Sequence, residues 1–206
     1  MAKKSFKKKR KQLLEEFAKE NIHQAVLELI GEKGVEDLTV SSVAKRAGIA
    51  KGTIYLYFKD KEDLICSTIQ TSLDPLFSHI NEILESDLRP DKKLVEYATF
   101  SMEFLEKYRS TFRALMYNQH QVHVHKEHYT DDKHQQILDR LAKVIKDGVD
   151  QGIFREIDPV MGANIFMEST IAVTVQYLIT NKKRDIEEDV DSLIDILLNG
   201  LNRIKS

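Results

Sequence analysis

The sequence predicts an all-α protein, and three observations carry that expectation. Glycine and proline are scarce, at eight and three residues in 206, which disfavours a turn-rich β fold. Apolar residues recur with the 3.6-residue helical period in segment after segment. No stretch shows the strict alternation of a half-buried strand, and no internal repeat is present. The length allows one or two domains with a sizeable core. A hydrophobic share of 42% and a charged share of 31% are ordinary for a globular protein.

The elements follow in order. Residues 1–12 hold seven Lys/Arg and no acid; they read as a solvated, disordered tail or as an arm that adds phosphate or minor-groove contacts. Ile22, Ala25, Val26, Leu29 and Ile30 form the first amphipathic helical face, closed near Gly31 and Gly34. Residues 38–64 then read as a short helix, a tight turn and a very short second helix. Thr39 is an N-cap residue type. Val40, Val43, Ala44 and Ala47 share one face, Gly48 suits the positive φ of a helix end, and Ile49 plugs the corner. Ile54 and Phe58, four apart, anchor the second helix. A fourth helix begins near Lys61 and runs to about Leu84, with Pro75 starting or kinking its second part. Residues 87–91 are a break, and 92–117 are helical in period. From 118 to 134 the period fades. It returns with Ile137, Leu138, Leu141, Val144, Ile145 and Val149 and stops at Gly152. Asp158 caps a helix with Pro159 at its first position, apolar on nearly every side to about Thr180 and so expected to be buried all round. The last helix carries a 3.6-period stripe from Ile186 to Ile204.

The pairing of residues 39–47 with 51–58 is the build of a helix-turn-helix, whose second helix enters a DNA groove. Lys51, Thr53, Tyr55 and Tyr57 point away from the Ile54/Phe58 anchor. Glycine at position 52 costs helix stability but lets backbone N–H groups approach phosphate. These residues resemble a family. Gly34, Thr39, Val43, Ala44, Ala47, Gly48, Ile49, Lys51, Gly52, Thr53, Ile54, Tyr55, Tyr57, Phe58, Lys61, Glu62, Asp63 and Leu64 match the tetracycline-repressor-like (TetR/AcrR) transcriptional regulators in order and spacing. The match covers about residues 20–66. Ala50 stands where Ser is more usual and Val40 where Thr is often found. The resemblance implies that Tyr55 and Lys61 clamp phosphates and that Thr53 contacts backbone or base. Lys51, Gly52 and Tyr57 then lie nearest the base edges, and Thr39 and Ser41 offer a helix N-terminus to phosphate.

Charge is distributed to match. The net of −2 hides 14 Lys/Arg against 8 Asp/Glu in residues 1–61 and 17 against 25 in residues 62–206. A basic end on an acidic body suits a module that binds polyanion at one end only. Cys66 is the one cysteine, so no intrachain disulfide forms, which suits a reducing cytoplasm; it reads as a small residue packed on a helix. The basic start leads into Leu13, Leu14, Glu15 and Glu16 rather than an apolar run, unlike a secretory signal. No apolar stretch reaches the ~18 residues of a membrane span.

His120, His123, His125, His128 and His134 cluster in sequence, yet one helix cannot aim them all together and no cysteine joins them. A solvated connection is the simpler reading, and no metal is expected. The aromatic and methionine residues of the body read as core. Through the resemblance, Phe100, Phe104, Phe112, Met116, Phe166, Met167, Thr170 and Tyr177 become candidates for lining a pocket for an apolar or aromatic effector. Three parts are expected: a basic arm at 1–19, a three-helix DNA-binding domain at 20–66, and a larger helical effector-binding and dimerisation domain at 67–206. No catalytic motif or cofactor signature appears. The expected function is a ligand-responsive transcriptional repressor, a cytoplasmic homodimer on a palindromic operator, joined through the last two helices (about 159–180 and 186–204). A constitutive basic DNA binder and a metal-responsive regulator built on the histidines are the alternatives.

Overall fold

The computed structural model describes residues 2–109, 112, 131–179 and 185–199. Among these there are eight helices and no strand: α1 (Ala2–Lys33), α2 (Val40–Ala47), α3 (Lys51–Ile54), α4 (Lys61–Glu85), α5 (Pro90–Lys107), α6 (Asp131–Asp150), α7 (Pro159–Ile179) and α8 (Ile186–Asn199). The chain divides into two compact units. The first is built on Met1–Ser72, the second on Leu73–Phe112 together with the helices after residue 130.

In the first unit α2 packs on α1 and α3 on α2. Ile22, Ala25, Val26, Leu29 and Ile30 of α1 are buried with Val40, Val43, Ala44, Ile54, Phe58, Leu64 and Ile65. Each of the larger side chains among them contributes roughly 1.5–3 kcal/mol by leaving water. The basic stretch 1–12 is not a separate coil: α1 runs unbroken from Ala2. Its early turns leave Phe6, Leu13, Leu14 and Phe17 more than half exposed. Gly34, at φ 81°, ends the helix and donates its N–H to the Ile30 carbonyl at 2.9 Å.

Helix α4 belongs to both units and keeps Pro75 inside it. Pro75 has no N–H for the Thr71 carbonyl, so one rung of the helix is missing there. Just upstream, Thr68 and Ser72 donate their hydroxyls to the Leu64 and Thr68 carbonyls, each at 2.7 Å.

In the second unit α5 packs against α6, α7 and α8, and α6 against α7. The core is Leu94, Tyr97, Met102 and Phe104 of α5 with Leu141, Val144 and Ile145 of α6, Phe166 and Met167 of α7, and Val190 and Leu193 of α8. The predicted start of α7 is present in detail, the Asp158 carboxylate accepting the Met161 N–H at 2.7 Å. Helix α5 ends at Lys107; Arg109 and Phe112 are again helical, and residues 110, 111 and 113–117 lie outside the described residues. One expectation is corrected. Helix α7 is not covered all round, since Val160, Met161, Ile165 and Ile171 are 41–57% exposed in the single chain. Four of the clustered histidines, His120, His123, His125 and His128, lie outside the described residues. His134 sits in α6 with its Nε2 3.9 Å from a Glu168 oxygen. Among the described residues no group of His, Cys, Asp and Glu could hold a metal.

Candidate nucleic-acid interface

Helix α2 is fixed at both ends by local chemistry. Thr39 Oγ1 accepts the Ser42 N–H at 3.0 Å, and Ser42 Oγ accepts the Thr39 N–H at 3.1 Å, a reciprocal capping box. Gly48, at φ 68°, ends it, with the Ile49 N–H donated to the Ala44 carbonyl at 3.0 Å. A residue bearing Cβ would be strained at that φ. Arg46, in the last turn, reaches back to α1. Its guanidinium donates to Glu28 at 3.1 Å and to both Glu32 oxygens at 2.9 and 2.6 Å. Bonds from Gln24 and then Arg46 hold the Glu28 carboxyl below its ordinary range, and Arg46 does the same for Glu32. The fork sets the angle of α2 on α1 without burying a charge.

Helix α3 is four residues long, and its turns continue through Phe58, whose N–H bonds the Ile54 carbonyl at 3.0 Å. Ile54 and Phe58 are 1% and 4% exposed and act as the predicted anchors. Across the helix Lys51, Gly52, Tyr55 and Leu56 are exposed, with Thr53 and Tyr57 half-buried. The Lys51 ammonium lies 6.0 Å from the Tyr55 ring centre. Lys19 of α1 sits 5.6 Å from the Tyr57 ring, so the basic helix runs beside the α3 turn. Thr39 and Ser41 are both exposed at the start of α2.

Lys61 is placed differently from a free phosphate clamp. Its ammonium donates to the Val35 carbonyl at 3.0 Å and the Glu36 carbonyl at 3.4 Å. Two of its three protons are thus engaged within the unit. Asp60 and Asp63 complete the α4 start, Asp60 accepting the Asp63 N–H at 2.8 Å and Asp63 accepting the Lys59 N–H at 2.7 Å. Cys66 is half-buried and free, and burial pushes its thiol up, away from the reactive thiolate.

Sequence reasoning missed Leu56, Arg46, Ser42 and Lys19. Leu56 is 77% exposed, and its signal was available: an apolar residue two positions from Ile54 falls off the core face. Arg46 finds its partners 14 and 18 residues away, where no spacing rule applies. Ser42 stands where a capping box more often has Glu or Gln.

The candidate effector residues lie in the second unit. Phe100 is half-buried, 4.0 Å from the His79 ring and 6.1 Å from Phe104. Phe104, Phe112, Phe166, Met167 and Thr170 are buried. Phe166 meets Tyr97 of α5 edge-on at 5.3 Å. Met116 and the side chain of Tyr177 fall outside the described residues.

Two family models match this chain. "Bacterial regulatory proteins, tetR family" covers residues 22–66, and "Tetracyclin repressor-like, C-terminal domain" covers residues 87–201. The chain belongs to the TetR family. It is a helix-turn-helix transcriptional regulator, and the 22–66 match contains every residue placed around α2 and α3 above except Lys19. Among its relatives is the fatty acid metabolism regulator protein of Bacillus subtilis (strain 168), 25% identical over 182 residues, spanning 88% of this chain and 94% of the relative. Solved structures share the fold. The fatty acid degradation regulator FadR of Bacillus halodurans superposes with a TM-score of 0.74 at 24% identity, over 89% of this chain and 96% of its own. FadR of Bacillus subtilis, solved with stearoyl-CoA, superposes at 0.68 and 23% identity, over 88% and 98%. No helix among the described residues is long and apolar enough to cross a membrane.

Proposed function

We propose that this TetR-family regulator is a cytoplasmic repressor that binds a palindromic operator as a homodimer and releases it when a fatty acyl-CoA occupies the helical body. The observation that carries the DNA half is the division of α3. Ile54 is buried on one side, while Lys51, Gly52, Tyr55 and Leu56 are presented on the other. Lys51 and Tyr57 read base edges, Gly52 admits a phosphate to the helix N-terminus, and Tyr55, Thr53, Thr39 and Ser41 hold the backbone. Leu56 adds an apolar contact of the kind that suits a thymine methyl. Lys61 contributes through its remaining proton and by holding the 35–36 turn in place. The basic early turns of α1 add phosphate contacts beside the operator core.

The effector class rests on the kinship with a fatty acid metabolism regulator and on a fold neighbour solved with stearoyl-CoA. The body supports it chemically, since its aromatic and methionine residues suit an alkyl chain. A ligand shifts the equilibrium only by binding the non-operator conformation more tightly, and linkage then requires operator DNA to weaken acyl-CoA binding by the same factor.

The test is a gel-shift titration of DNA flanking the coding region, with and without palmitoyl- and stearoyl-CoA. We expect tight, salt-dependent binding, loss on Tyr55→Ala, and release by acyl-CoA. Binding that ignores every acyl-CoA would make the protein a constitutive DNA binder instead.

A further inference from the structure

Helix α1 carries two apolar faces on opposite sides. The buried Ile22, Ala25, Val26, Leu29 and Ile30 centre on one side, and Phe6, Leu13 and Phe17 stand roughly 170° round the helix from them. The second face is therefore no extension of the first. Phe6, Leu13 and Phe17, with Leu14 beside them, are 57–77% exposed and span about three turns. Nor does this stripe face the reading helix. Lys19, 5.6 Å from the Tyr57 ring, marks the side of α1 next to the α3 turn, and all four apolar residues lie about 120–160° round from it. An apolar stripe turned away from both the core and the α3 turn is an interaction surface.

The surrounding charge selects what covers it. Residues 1–12 hold seven Lys/Arg and no acid. Lys9 and Arg10, both exposed, border the stripe about 40–60° to either side. Stems of that length lie along apolar surface while the charged ends reach an anion. A second copy of the chain would set these like charges against each other. DNA offers phosphates but no apolar layer for two phenylalanines and two leucines. An anionic bilayer offers both, charge at the headgroups and acyl chain beneath. We propose that α1, up to Phe17, docks on a membrane surface rich in anionic phospholipid, with Phe6, Leu13, Leu14 and Phe17 inserted below the headgroups and the Lys/Arg stretch on the lipid phosphates. The helix lies in the interface rather than crossing it, because only one side of it is apolar.

The chain contains no Trp, so a single introduced one reports its own site. In the full chain, the emission of Phe6→Trp should shift to the blue on adding vesicles of phosphatidylglycerol and phosphatidylcholine. Gln12→Trp, about 120° round the helix from the stripe, should keep the emission of an indole in water. Co-sedimentation of the wild type should be roughly tenfold or more stronger on these vesicles than on phosphatidylcholine alone. Phe6→Gln, Leu13→Gln and Phe17→Gln combined keep every charge and replace only exposed side chains. That variant should retain its thermal midpoint and its affinity for non-specific DNA, while vesicle binding falls roughly tenfold. No vesicle binding by the wild type would overturn the proposal and leave the stripe to a protein partner. Equal vesicle binding by the triple variant, or the same blue shift at both reporter positions, would overturn it by reducing the contact to adsorption of charge.

Discussion

Gly52 is the residue at which fold and function pull apart. It is exposed, its φ is not in the left-handed region, and a Cβ built on it would meet nothing within 4 Å. The fold therefore does not require glycine, which costs up to ~1 kcal/mol against alanine inside a helix. Under the proposed function the requirement comes from outside the chain, from a phosphate that would approach the α3 backbone more closely than a methyl allows. Gly52→Ala should keep or raise the thermal midpoint and weaken operator binding several-fold in a gel shift. Unchanged affinity would remove the backbone–phosphate contact from the account. Gly48 is the contrast: at φ 68° it is demanded by the fold itself, so substitution there should lower stability and binding together. At this scale the sequence was legible wherever the chemistry was local. Thr39, Gly48 and the Asp158 and Pro159 start are caps, and caps are written within four residues. The Arg46 fork, the Lys61 bonds to the 35–36 turn and the Lys19–Tyr57 approach are fixed by packing between distant segments, and no spacing announces them.

At the scale of elements, the anchors and most boundaries were legible because amphipathic period and capping residues agreed. The start of α1 was not. Seven like charges in the first turns repel along a helix, which argued for a coil, yet the helix is continuous from Ala2. Gly148 was also missed, because its role is set by tertiary contact. It lies inside α6, where glycine is unfavourable, and a Cβ there would stand 2.1 Å from Cδ2 and 2.3 Å from Cε2 of Phe154. The glycine makes room for a ring folded back from the turn after α6, the same turn in which Gly152 adopts φ 68°. Gly148→Ala would gain up to ~1 kcal/mol in helix propensity but force the ring aside at roughly 1–3 kcal/mol. The net should be a thermal midpoint lower by a few degrees, since ~1 kcal/mol corresponds to about 2–4 °C at this size. Phe154→Leu in the same chain should restore part of it. A higher midpoint for Gly148→Ala alone would mean that the ring moves without cost.

At the scale of the molecule, the basic first 61 residues and the acidic remainder give it one end suited to DNA, and one α3 as short as this reads only a few base pairs. Under the proposed function, specificity comes from two copies whose reading helices would sit one helical turn of DNA apart, ~34 Å. The apolar surface that such a pairing would use was half legible. The all-round apolar character of α7 pointed to burial on every side, and the single chain covers only the side bearing Ala163, Phe166, Met167 and Thr170. Val160, Met161, Ile165 and Ile171 on α7, with Ile196 and Leu198 on α8, remain 41–57% exposed. Exposed apolar area on two helices that touch each other is what a second copy would cover in a four-helix pairing. Leu197 is half-buried within its own chain, so a charge there would disturb core as well as interface; Ile165 and Ile196 separate the two. Ile165→Glu and Ile196→Glu should leave the fold of the single chain intact, because each side chain is already 47% exposed. In the pair each would bury an unpartnered carboxylate. Sedimentation should then show a dimer for the wild type and a monomer for either variant, with operator binding lost far more than binding to non-specific DNA. A dimer that survives both substitutions would place the interface on another face, and the spacing of the reading helices would have to be set from there.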